Sequence, residues 1–361
     1  MVSVVIASYN GARYLGEAIE SVLAQTHPAV ETIVVDDGST DDTAQVVARY
    51  GAAVRGLHQP NAGPCVARNL GLRNARGDYV VFLDHDDRLL ADKVARQAAV
   101  LDARLEVGLV YGGWRFIDDA GNVLAATGWP TREGDLLAEI VLENPIHLAS
   151  AMVRRSVLDA AGGFDERRTG LEDWELWLRL SRRGLRWACV DAPLVEYRVH
   201  RGQRHTRGIE RVRDNRLAVL DEFFADPTLA PAIRELAPAA YQNAHLKAAA
   251  DYFRAGARAE GSAAFGAAVR IRPAILTEPR SLRRFCRLLP SMGYQSQQAV
   301  VARWWEAARV LRTAVHDVLA APDLEPEIAR LAVRARLTVL RVTFTLARKR
   351  FLARARRQRR R

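Results

Sequence analysis

The first half of the chain alternates short apolar runs with amphipathic stretches. The apolar runs are VSVVIA (2–7), ETIVVDD (31–37) and DYVVFLD (78–84), and the amphipathic stretch ARYLGEAIESVLAQT (12–26) separates the first two. Strands that are rich in Val, Ile and Leu along their whole length are typical of a parallel sheet that helices cover on both faces. This pattern predicts an α/β domain at the start of the chain.

The pattern becomes mixed after about residue 107. It predicts a hairpin around Asp118–Gly121, a helix over 172–184 and two short strands around Pro193. After about residue 208 the strand patterns stop, and only helical periodicity remains. We therefore expect an α/β domain over 1–207, a helical domain over 208–330 and a basic helical tail over 331–361.

The net charge of +11 is concentrated in the tail. Residues 331–361 contain twelve Arg or Lys and no Asp or Glu, so the rest of the chain is nearly neutral. No aromatic stacking pattern accompanies these arginines, and we therefore expect no nucleic-acid partner. A solvated basic tail is one alternative. We favour peripheral contact with an anionic membrane, where each basic residue near the surface contributes about 1 kcal/mol.

The tail has two apolar stripes when it is read as a helix. One contains Leu337 and Leu340, and the other contains Ala335, Val339 and Val342. We expect one stripe to pack on the helical domain while the arginines face outward.

Cysteine usage and hydropathy indicate the compartment. Cys65, Cys189 and Cys286 are widely spaced and lack the pairing of a metal site, so they fit free thiols in a reducing environment. No signal peptide precedes the strand that starts at residue 2, and no apolar run is long enough to cross a bilayer. The sequence predicts a cytoplasmic protein, with peripheral contact at the inner face of the cell membrane.

Polar residues follow the first two strands where each one ends. The first strand leads into Ser8, Tyr9 and Asn10, and the second leads into VVDDGSTDDT (34–43). The second loop has the acceptors and backbone donors to contact a base or ribose, although Asp and Ser here could simply cap the next helix. In open parallel sheets, ligands bind outside the carboxyl ends of the strands. The sequence therefore places a candidate site at this edge.

The stretch FLDHDDRLL (82–90) follows a buried strand with three carboxylates, Asp84, Asp86 and Asp87. Carboxylates this close need solvent or a cation between them. If the segment stays extended, Asp84 and Asp86 share a side and His85 points away. Paired oxygen ligands suit Mg²⁺ or Mn²⁺. The alternative is a solvated acidic turn.

Two further candidates come from the second half of the domain. Glu172 and Asp173 begin a helix, where the helix dipole favours acidic side chains. This placement is common for structural reasons alone, but it would also keep Asp173 ionised at neutral pH, as a general base requires. His200 is a lone histidine after a strand and would by itself be a surface or packing residue.

Seven segments taken together resemble the inverting family 2 glycosyltransferases of the GT-A fold. The resemblance covers about residues 1–200 and follows the order of the family's motifs: VSVVIASYN, VVDDGSTDDT, NAGPCVARNLGL, YVVFLDHDD, GGFDE, EDWELWLRL and YRVH. It implies a Rossmann-like mixed sheet of the GT-A type with helices on both faces, followed here by an all-α region.

The resemblance also implies a nucleotide-sugar site. Ala7, Tyr9 and Asn10 would line the nucleotide pocket, with Ala7 and Tyr9 nearest, and Asp37 beside Gly38 would accept a hydrogen bond from the base.

The remaining motif residues correspond to the donor diphosphate, the metal and the acceptor. Asp84 would face the ribose, Asp86 would bind Mg²⁺ or Mn²⁺ on the diphosphate, and His200 would lie near that metal. Arg68 would support the acidic cluster or the phosphates. Asp173 would be the base that deprotonates the acceptor hydroxyl.

The implied activity is metal-dependent transfer of a sugar, with inversion, from a nucleotide-sugar donor to a glycan or lipid-linked acceptor in bacterial envelope or exopolysaccharide synthesis. A nucleotidyltransferase is one alternative, but such enzymes commonly need a Gly-rich phosphate loop, and ASYNGARYL (7–15) is a poor one. The other alternative is a catalytically inactive module that binds sugar nucleotides or glycans. Loss of the Glu-Asp pair or of Asp-X-Asp would favour that module, and both are present.

Overall fold

A computed structural model describes residues 1–126, 129–168, 170–200, 208–289, 297–322, 324–332 and 334–342. The chain divides into two compact units, Met1–Arg201 and Gly202–Arg361.

Unit one is built on a mixed sheet of nine strands in the described residues. They are β1 (Val2–Ser8), β2 (Val30–Asp37), β3 (Arg55–Gln59), β4 (Tyr79–Asp84), β5 (Arg88–Leu89), β6 (Leu109–Ile117), β7 (Val123–Ala126), β8 (Met152–Arg154) and β9 (Trp187–Arg198). The order is β3-β2-β1-β4-β8-β6-β9-β5, and β7 pairs with β6 beside this path. Strands β3, β2, β1 and β4 are parallel, whereas β8 runs antiparallel to β4 and β6. The predicted mixed α/β sheet is confirmed.

Seven helices accompany this sheet in the described part of unit one. They are α1 (Ala12–Leu23), α2 (Thr43–Ala48), α3 (Pro64–Asn74), α4 (Lys93–Ala103), α5 (Leu137–Leu142), α6 (Arg155–Ala161) and α7 (Glu172–Arg182). Helix α1 shows how the pattern produces the packing: Leu15, Ala18, Ile19 and Val22 recur at helical spacing and are all buried. A fully buried Leu or Ile side chain contributes roughly 1.5–3 kcal/mol.

The register of the parallel strands brings their carboxyl ends together. Ala7 pairs with Asp84 across β1 and β4, and Ser8 pairs with Asp36 across β1 and β2. The strand interiors are fully buried, for example at Val4 and Val81. Apolar burial therefore fixes the register, and the register places the polar residues that follow the strands at one edge.

Two local expectations are wrong. The segment after β4 does not stay extended through Asp86, because residues 85–86 form a turn that the Asp87 N–H closes by donating to the Asp84 carbonyl at 3.1 Å. The segment around Pro193 is one strand, β9, and not two. A shift in the β6–β9 register at Gly113 accommodates the proline, which has no N–H to donate. The predicted hairpin around Asp118–Gly121 is present as β6–β7.

Unit two contains only helices in its described residues. They are α8 (Ile209–Phe224), α9 (Pro231–Arg234), α10 (Ala237–Arg254), α11 (Arg258–Ile271), α12 (Pro279–Leu288) and α13 (Gln297–Leu319), and residues 326–332 and 334–342 are also helical. Ala249, Ala264 and Ala268 let α10 and α11 approach closely within a core that also contains Phe265 and Phe285. All three cysteines are free thiols.

The second stripe of the tail is the one that packs. Ala335, Val339 and Val342 are buried in the core of unit two, whereas Leu337 and Leu340 are 52% and 59% exposed. Residues 343–361 of the predicted tail lie outside the described residues. Among the helices that are described, none combines the length and apolarity needed to cross a membrane.

Lys93, the first residue of α4, is fully buried, and its ammonium donates to Gln97 Oε1 at 2.6 Å. Burial lowers the pKa of Lys93 from 10.5 to about 7. The unfolded chain therefore binds this proton more tightly, and the charge destabilises the fold most at pH 7 and below.

We predict that Lys93→Met raises the free energy of unfolding at pH 7, by roughly 1–4 kcal/mol, as for other buried charges replaced by apolar groups. The gain should shrink as the pH rises from 7 towards 10.5, because Lys93 is then already neutral in the folded protein and the cost of removing its proton on folding falls as the pH approaches the pKa of the unfolded chain. Thermal melts at pH 7 and pH 9 measure this. Lys247→Met, at a partly exposed lysine, is the control and should show little change. A destabilised Lys93→Met at both pH values would contradict the prediction.

Candidate active site

The loop after β1 is tied to the loop after β2 by Asn10. Its backbone has a positive φ of 50°, which Asn tolerates better than most residues. The Asn10 side-chain carbonyl accepts from the Thr40 N–H at 2.8 Å, and the Asn10 N–H donates to Ser39 Oγ at 2.9 Å. Ala7 and Tyr9 are half-buried beside this tie. The three residues predicted to line the nucleotide pocket therefore belong to one braced loop.

Asp37 is buried and holds the β2 loop against residues 59–63. Its Oδ1 accepts from Gln59 Nε2 at 2.7 Å and from the Ala62 N–H at 2.9 Å, and its Oδ2 accepts from the Gly63 N–H at 2.9 Å. Gly38 has a φ of 73°, and a Cβ there would lie 2.5 Å from the Asn61 nitrogen, so glycine is required. In this arrangement the Asp37 carboxylate stabilises the loop by accepting hydrogen bonds from residues 59–63.

Arg68, on α3, is the buried cation of the acidic edge. Its guanidinium donates to Asp84 Oδ1 at 2.7 Å and to Glu172 Oε1 at 2.9 Å, which joins β4 to the start of α7. Burial, the largest single effect, would raise the pKa of Asp84, but the charge and hydrogen bond of Arg68, with smaller contributions from His147 and His85, together hold that pKa below its usual value. Arg68 was expected to support either the acidic cluster or the phosphates. In the structure it contacts the acidic cluster.

Asp86 and His200 lie side by side, although 114 positions separate them in the sequence. His200 Nε2 is 3.0 Å from Asp86 Oδ2, and both side chains are mostly buried. The ring of Tyr14 lies 4.9 Å from the His200 ring. The two residues that the resemblance assigned to a metal are thus in direct contact.

A second group of possible ligands lies close by. Ligand atoms of Asp84, Asp87 and His147 all lie within 4.8 Å of one another. Asp87 is only 1% exposed, and its Oδ2 has no hydrogen-bond partner in the described residues, although it lies 3.5 Å from His147 Nε2. Burial, and then the charges of Asp86 and Asp84, raise the pKa of Asp87. Neither Asp87 nor His147 is among the metal ligands predicted from the sequence. Asp87 is the third carboxylate of FLDHDD, but nothing in the sequence links it to His147.

The donor set fits a divalent cation. A carboxylate oxygen of Asp86 and an imidazole nitrogen of His200 lie together, and the buried Asp87 Oδ2, which has no hydrogen-bond partner in the described residues, offers a further oxygen on the next residue. Hard ions such as Mg²⁺ and Mn²⁺ prefer oxygen-rich sets, and Mn²⁺ also accepts imidazole.

Asp173 lies in the first turn of α7. Its Oδ2 accepts from Asn144 Nδ2 at 2.8 Å, and its Oδ1 accepts from the Trp174 N–H at 2.7 Å. Burial, and secondly the charge of Glu172, raise the pKa of Asp173 to about 6. The helix terminus was expected to keep Asp173 ionised at neutral pH, and with a pKa of about 6 the carboxylate is mostly ionised at pH 7. Sequence reasoning missed Asn144, which has no motif around it.

The chain is similar to known glycosyltransferases. Residues 3–160 match the model of glycosyl transferase family 2. An uncharacterized glycosyltransferase of Rickettsia prowazekii is 30% identical over 220 residues, which are 59% of this chain and 69% of that protein. A putative teichuronic acid biosynthesis glycosyltransferase, TuaG of Bacillus subtilis, is 43% identical over 101 residues, 27% of this chain and 40% of TuaG.

Other relatives are longer than the matched region. An uncharacterized glycosyltransferase of Rickettsia felis is 33% identical over 189 residues, which are 50% of this chain but 31% of that protein. The chain thus spans about a third of the length of such relatives.

Solved structures share the fold. TarS 1–349 of S. aureus, in complex with UDP-GlcNAc, superposes with a TM-score of 0.60 at 18% identity and covers 96% of this chain and 90% of its own. The mannosyltransferase PcManGT of Pyrobaculum calidifontis, in complex with GDP-Man and Mn²⁺, gives a TM-score of 0.55 at 20% identity, over 94% of this chain and 86% of its own. Sequence and fold together show that the chain belongs to glycosyl transferase family 2 and has the GT-A fold.

Proposed function

We propose that the protein is a metal-dependent inverting glycosyltransferase that moves a sugar from a nucleotide-sugar donor to a hydroxyl of a glycan or lipid-linked acceptor. The observation that carries this proposal is the convergence, at the sheet edge, of the Asp86–His200 pair and the Arg68-braced Asp84, with Asp173 presented from α7. TarS and PcManGT, which share the fold, were solved with UDP-GlcNAc and with GDP-Man and Mn²⁺. Relatives such as TuaG support a place in envelope or exopolysaccharide synthesis.

The residues at and just after the carboxyl ends of β1, β2 and β4 would bind the nucleotide part of the donor. Ala7, Tyr9 and Asn10 flank the nucleotide, and Asp37 with Gly38 shapes the neighbouring loop that receives the base. Asp84 orients the ribose. These assignments follow from the family motifs and from the shared edge on which the side chains lie.

Asp86 and His200 would hold the divalent cation. When bound, such a cation neutralises the charge of the departing diphosphate. Arg68 keeps Asp84 ionised next to this charge.

Asp173 accepts the proton of the acceptor hydroxyl. The hydroxyl oxygen attacks the anomeric carbon of the donor sugar as the bond to the diphosphate breaks, and the proton remains on Asp173 until solvent takes it. A single displacement of this kind inverts the anomeric configuration, with no covalent sugar intermediate. A pKa of about 6 suits a general base at neutral pH, because the group is ionised yet retains appreciable basicity.

We predict that Asp86→Ala removes most turnover and weakens Mn²⁺ binding by at least about 10²-fold, since loss of an outer-shell partner already costs about 10–100-fold. The assay is nucleotide release from a panel of sugar nucleotides with Mn²⁺, before and after chelation. The matched control is Asp92→Ala, at an exposed aspartate that pairs with Arg96, and it should keep full activity. Full activity of the native protein in excess chelator would overturn the metal assignment.

We predict that Asp173→Asn lowers transfer by about 10²–10⁴-fold, the usual contribution of a general base, while donor binding survives. In the native protein, kcat/KM should rise from pH 5 to pH 7, because Asp173 is protonated and inactive below its pKa of about 6. The variant should lose this acidic limb. Calorimetry with the nucleotide measures donor binding.

Glu172→Gln is the comparison variant, because Glu172 neighbours Asp173 and contacts Arg68. If Glu172→Gln loses transfer and Asp173→Asn retains it, the base is Glu172. If both variants keep native transfer, the single-base mechanism is wrong.

The tail supports peripheral contact with an anionic bilayer at the inner face of the cell membrane. Its twelve Lys and Arg carry the charge, and Leu337 and Leu340 are exposed beside Arg336 and Arg341. Because Ala335, Val339 and Val342 are part of the unit-two core, a chain that ends at residue 342 keeps the packed stripe and removes nine of the twelve charges.

We predict that this shortened chain floats much less with vesicles that contain anionic lipid, since each basic residue near the surface contributes about 1 kcal/mol. Added NaCl should release the full-length chain, and neutral vesicles should not bind it. Leu337→Ser with Leu340→Ser should also weaken binding, whereas Leu105→Ser, at an 81% exposed leucine of unit one, should not. Equal flotation of the full and shortened chains would rule out the tail as an electrostatic anchor.

A further inference from the structure

Arg198, the last residue of β9, is a buried cation beside the candidate site that the proposed chemistry does not use. It is 0% exposed and lies two positions before His200. A buried charge destabilises a fold unless it is paired and hydrogen-bonded, so the contacts of Arg198 show what its burial achieves.

The guanidinium joins three separate segments. Its Nε donates to the Asp86 carbonyl at 2.9 Å, and Nη2 donates to Glu17 Oε2 on α1 at 2.6 Å. Nη1 donates to the carbonyls of Asp118 and Asp119, in the β6–β7 turn, at 3.2 and 3.0 Å. Only the planar five-donor fork of arginine can reach all of these acceptors at once.

Both members of the Asp86–His200 pair are held through this residue. Asp86 is held at its own carbonyl. His200 is held through the chain, because the Arg198 N–H donates to Asp87 Oδ1 at 2.9 Å and so ties the end of β9 to the turn after β4. The Tyr14 ring adds a second support, since the guanidinium lies 4.6 Å from its centroid and the His200 ring lies 4.9 Å away.

We propose that Arg198 is a positioning residue that sets the separation and orientation of Asp86 and His200 for a divalent cation. This inference rests on the proposed function, because that pair is the proposed metal site. Arg198 contacts the backbone of the turn that carries Asp86, so it would affect metal binding only through Asp86 and His200. Its loss should therefore change the affinity for the metal as well as the stability of unit one.

Arg88, on β5, provides a matched control. It shares Glu17 with Arg198, at 3.1 Å, contacts the same hairpin turn through the Gly121 carbonyl at 3.2 Å and pairs with Glu196 at 2.7 Å. In the described part of the chain, no hydrogen bond joins Arg88 to Asp86, Asp87 or His200. If Arg198 only held Glu17 and the hairpin turn, replacing either arginine would have the same effect on Mn²⁺ affinity.

The test compares Arg198→Lys with Arg88→Lys in the full-length chain. Mn²⁺ binding in the presence of UDP is measured by electron paramagnetic resonance, and thermal melts record stability. We expect Arg198→Lys to raise the Kd for Mn²⁺ by about 10–100-fold, as for other outer-shell partners, and Arg88→Lys to leave it within about 2-fold. Equal Kd values for the two variants would overturn the proposal.

Two further variants separate the possible failures. Asp86→Ala tests the metal site itself. If this variant binds Mn²⁺ as the native protein does, the proposed metal site is wrong and the proposed function fails. If Asp86→Ala loses Mn²⁺ binding but Arg198→Lys keeps it, only the positioning role of Arg198 is refuted. If Arg198→Lys does not fold, Tyr14→Leu removes the ring between Arg198 and His200 while it leaves the hydrogen bonds of Arg198 in place. It should weaken Mn²⁺ binding by about 10-fold, and an unchanged Kd would overturn the proposal.

Discussion

The ion pairs of Arg68 make the acidic edge of the sheet possible. Apolar burial sets the register of β1, β2 and β4, and that register brings Asp36, Asp84 and the turn after β4 to one edge, where their charges repel. Arg68 lies between Asp84 and Glu172 and compensates the charges of these two carboxylates inside the protein. Removal of one partner from a buried pair of this kind typically costs about 3–5 kcal/mol. The same contact fixes the start of α7, so the position of Asp173 depends on it.

The carboxylates at this edge do not share one environment, and their differences assign their roles. Arg68 holds the pKa of Asp84 low, whereas burial and Glu172 raise that of Asp173 to about 6. When the environments of neighbouring acids differ, their pKa values move apart. One site can then contain both an acid that stays ionised and a base that titrates near neutral pH. The cost of this arrangement is like-charge repulsion. Arg68, which donates to the Asp84 carboxylate, and Arg198, which donates to the Asp86 carbonyl, offset it.

The parts of the fold that local pattern controls could be predicted from the sequence. The strands of the parallel half follow from continuous Val and Ile runs, and ligand residues at their carboxyl ends follow from the topology. The turn at 85–86 was not predicted, because the strand pattern that leads into it does not reveal the local hydrogen bond from the Asp87 N–H to the Asp84 carbonyl. Asn144, His147 and Arg198 acquire their roles only through packing with segments far along the chain. Lys93 resembles an exposed residue at a helix start, yet tertiary packing buries it completely.

The tail helix packs on unit two with one apolar stripe and leaves the other exposed, although its sequence is not cleanly amphipathic. A helix with apolar residues on two stripes cannot bury both in a single core contact. The described part solves this by packing Ala335, Val339 and Val342 into unit two, so small and β-branched residues fill the core and the longer Leu337 and Leu340 remain exposed. Arginines flank the exposed leucines in the sequence. An apolar strip bordered by cations would suit the proposed contact with an anionic bilayer, in which the leucines would enter the acyl boundary while the guanidinium groups stay among the headgroups.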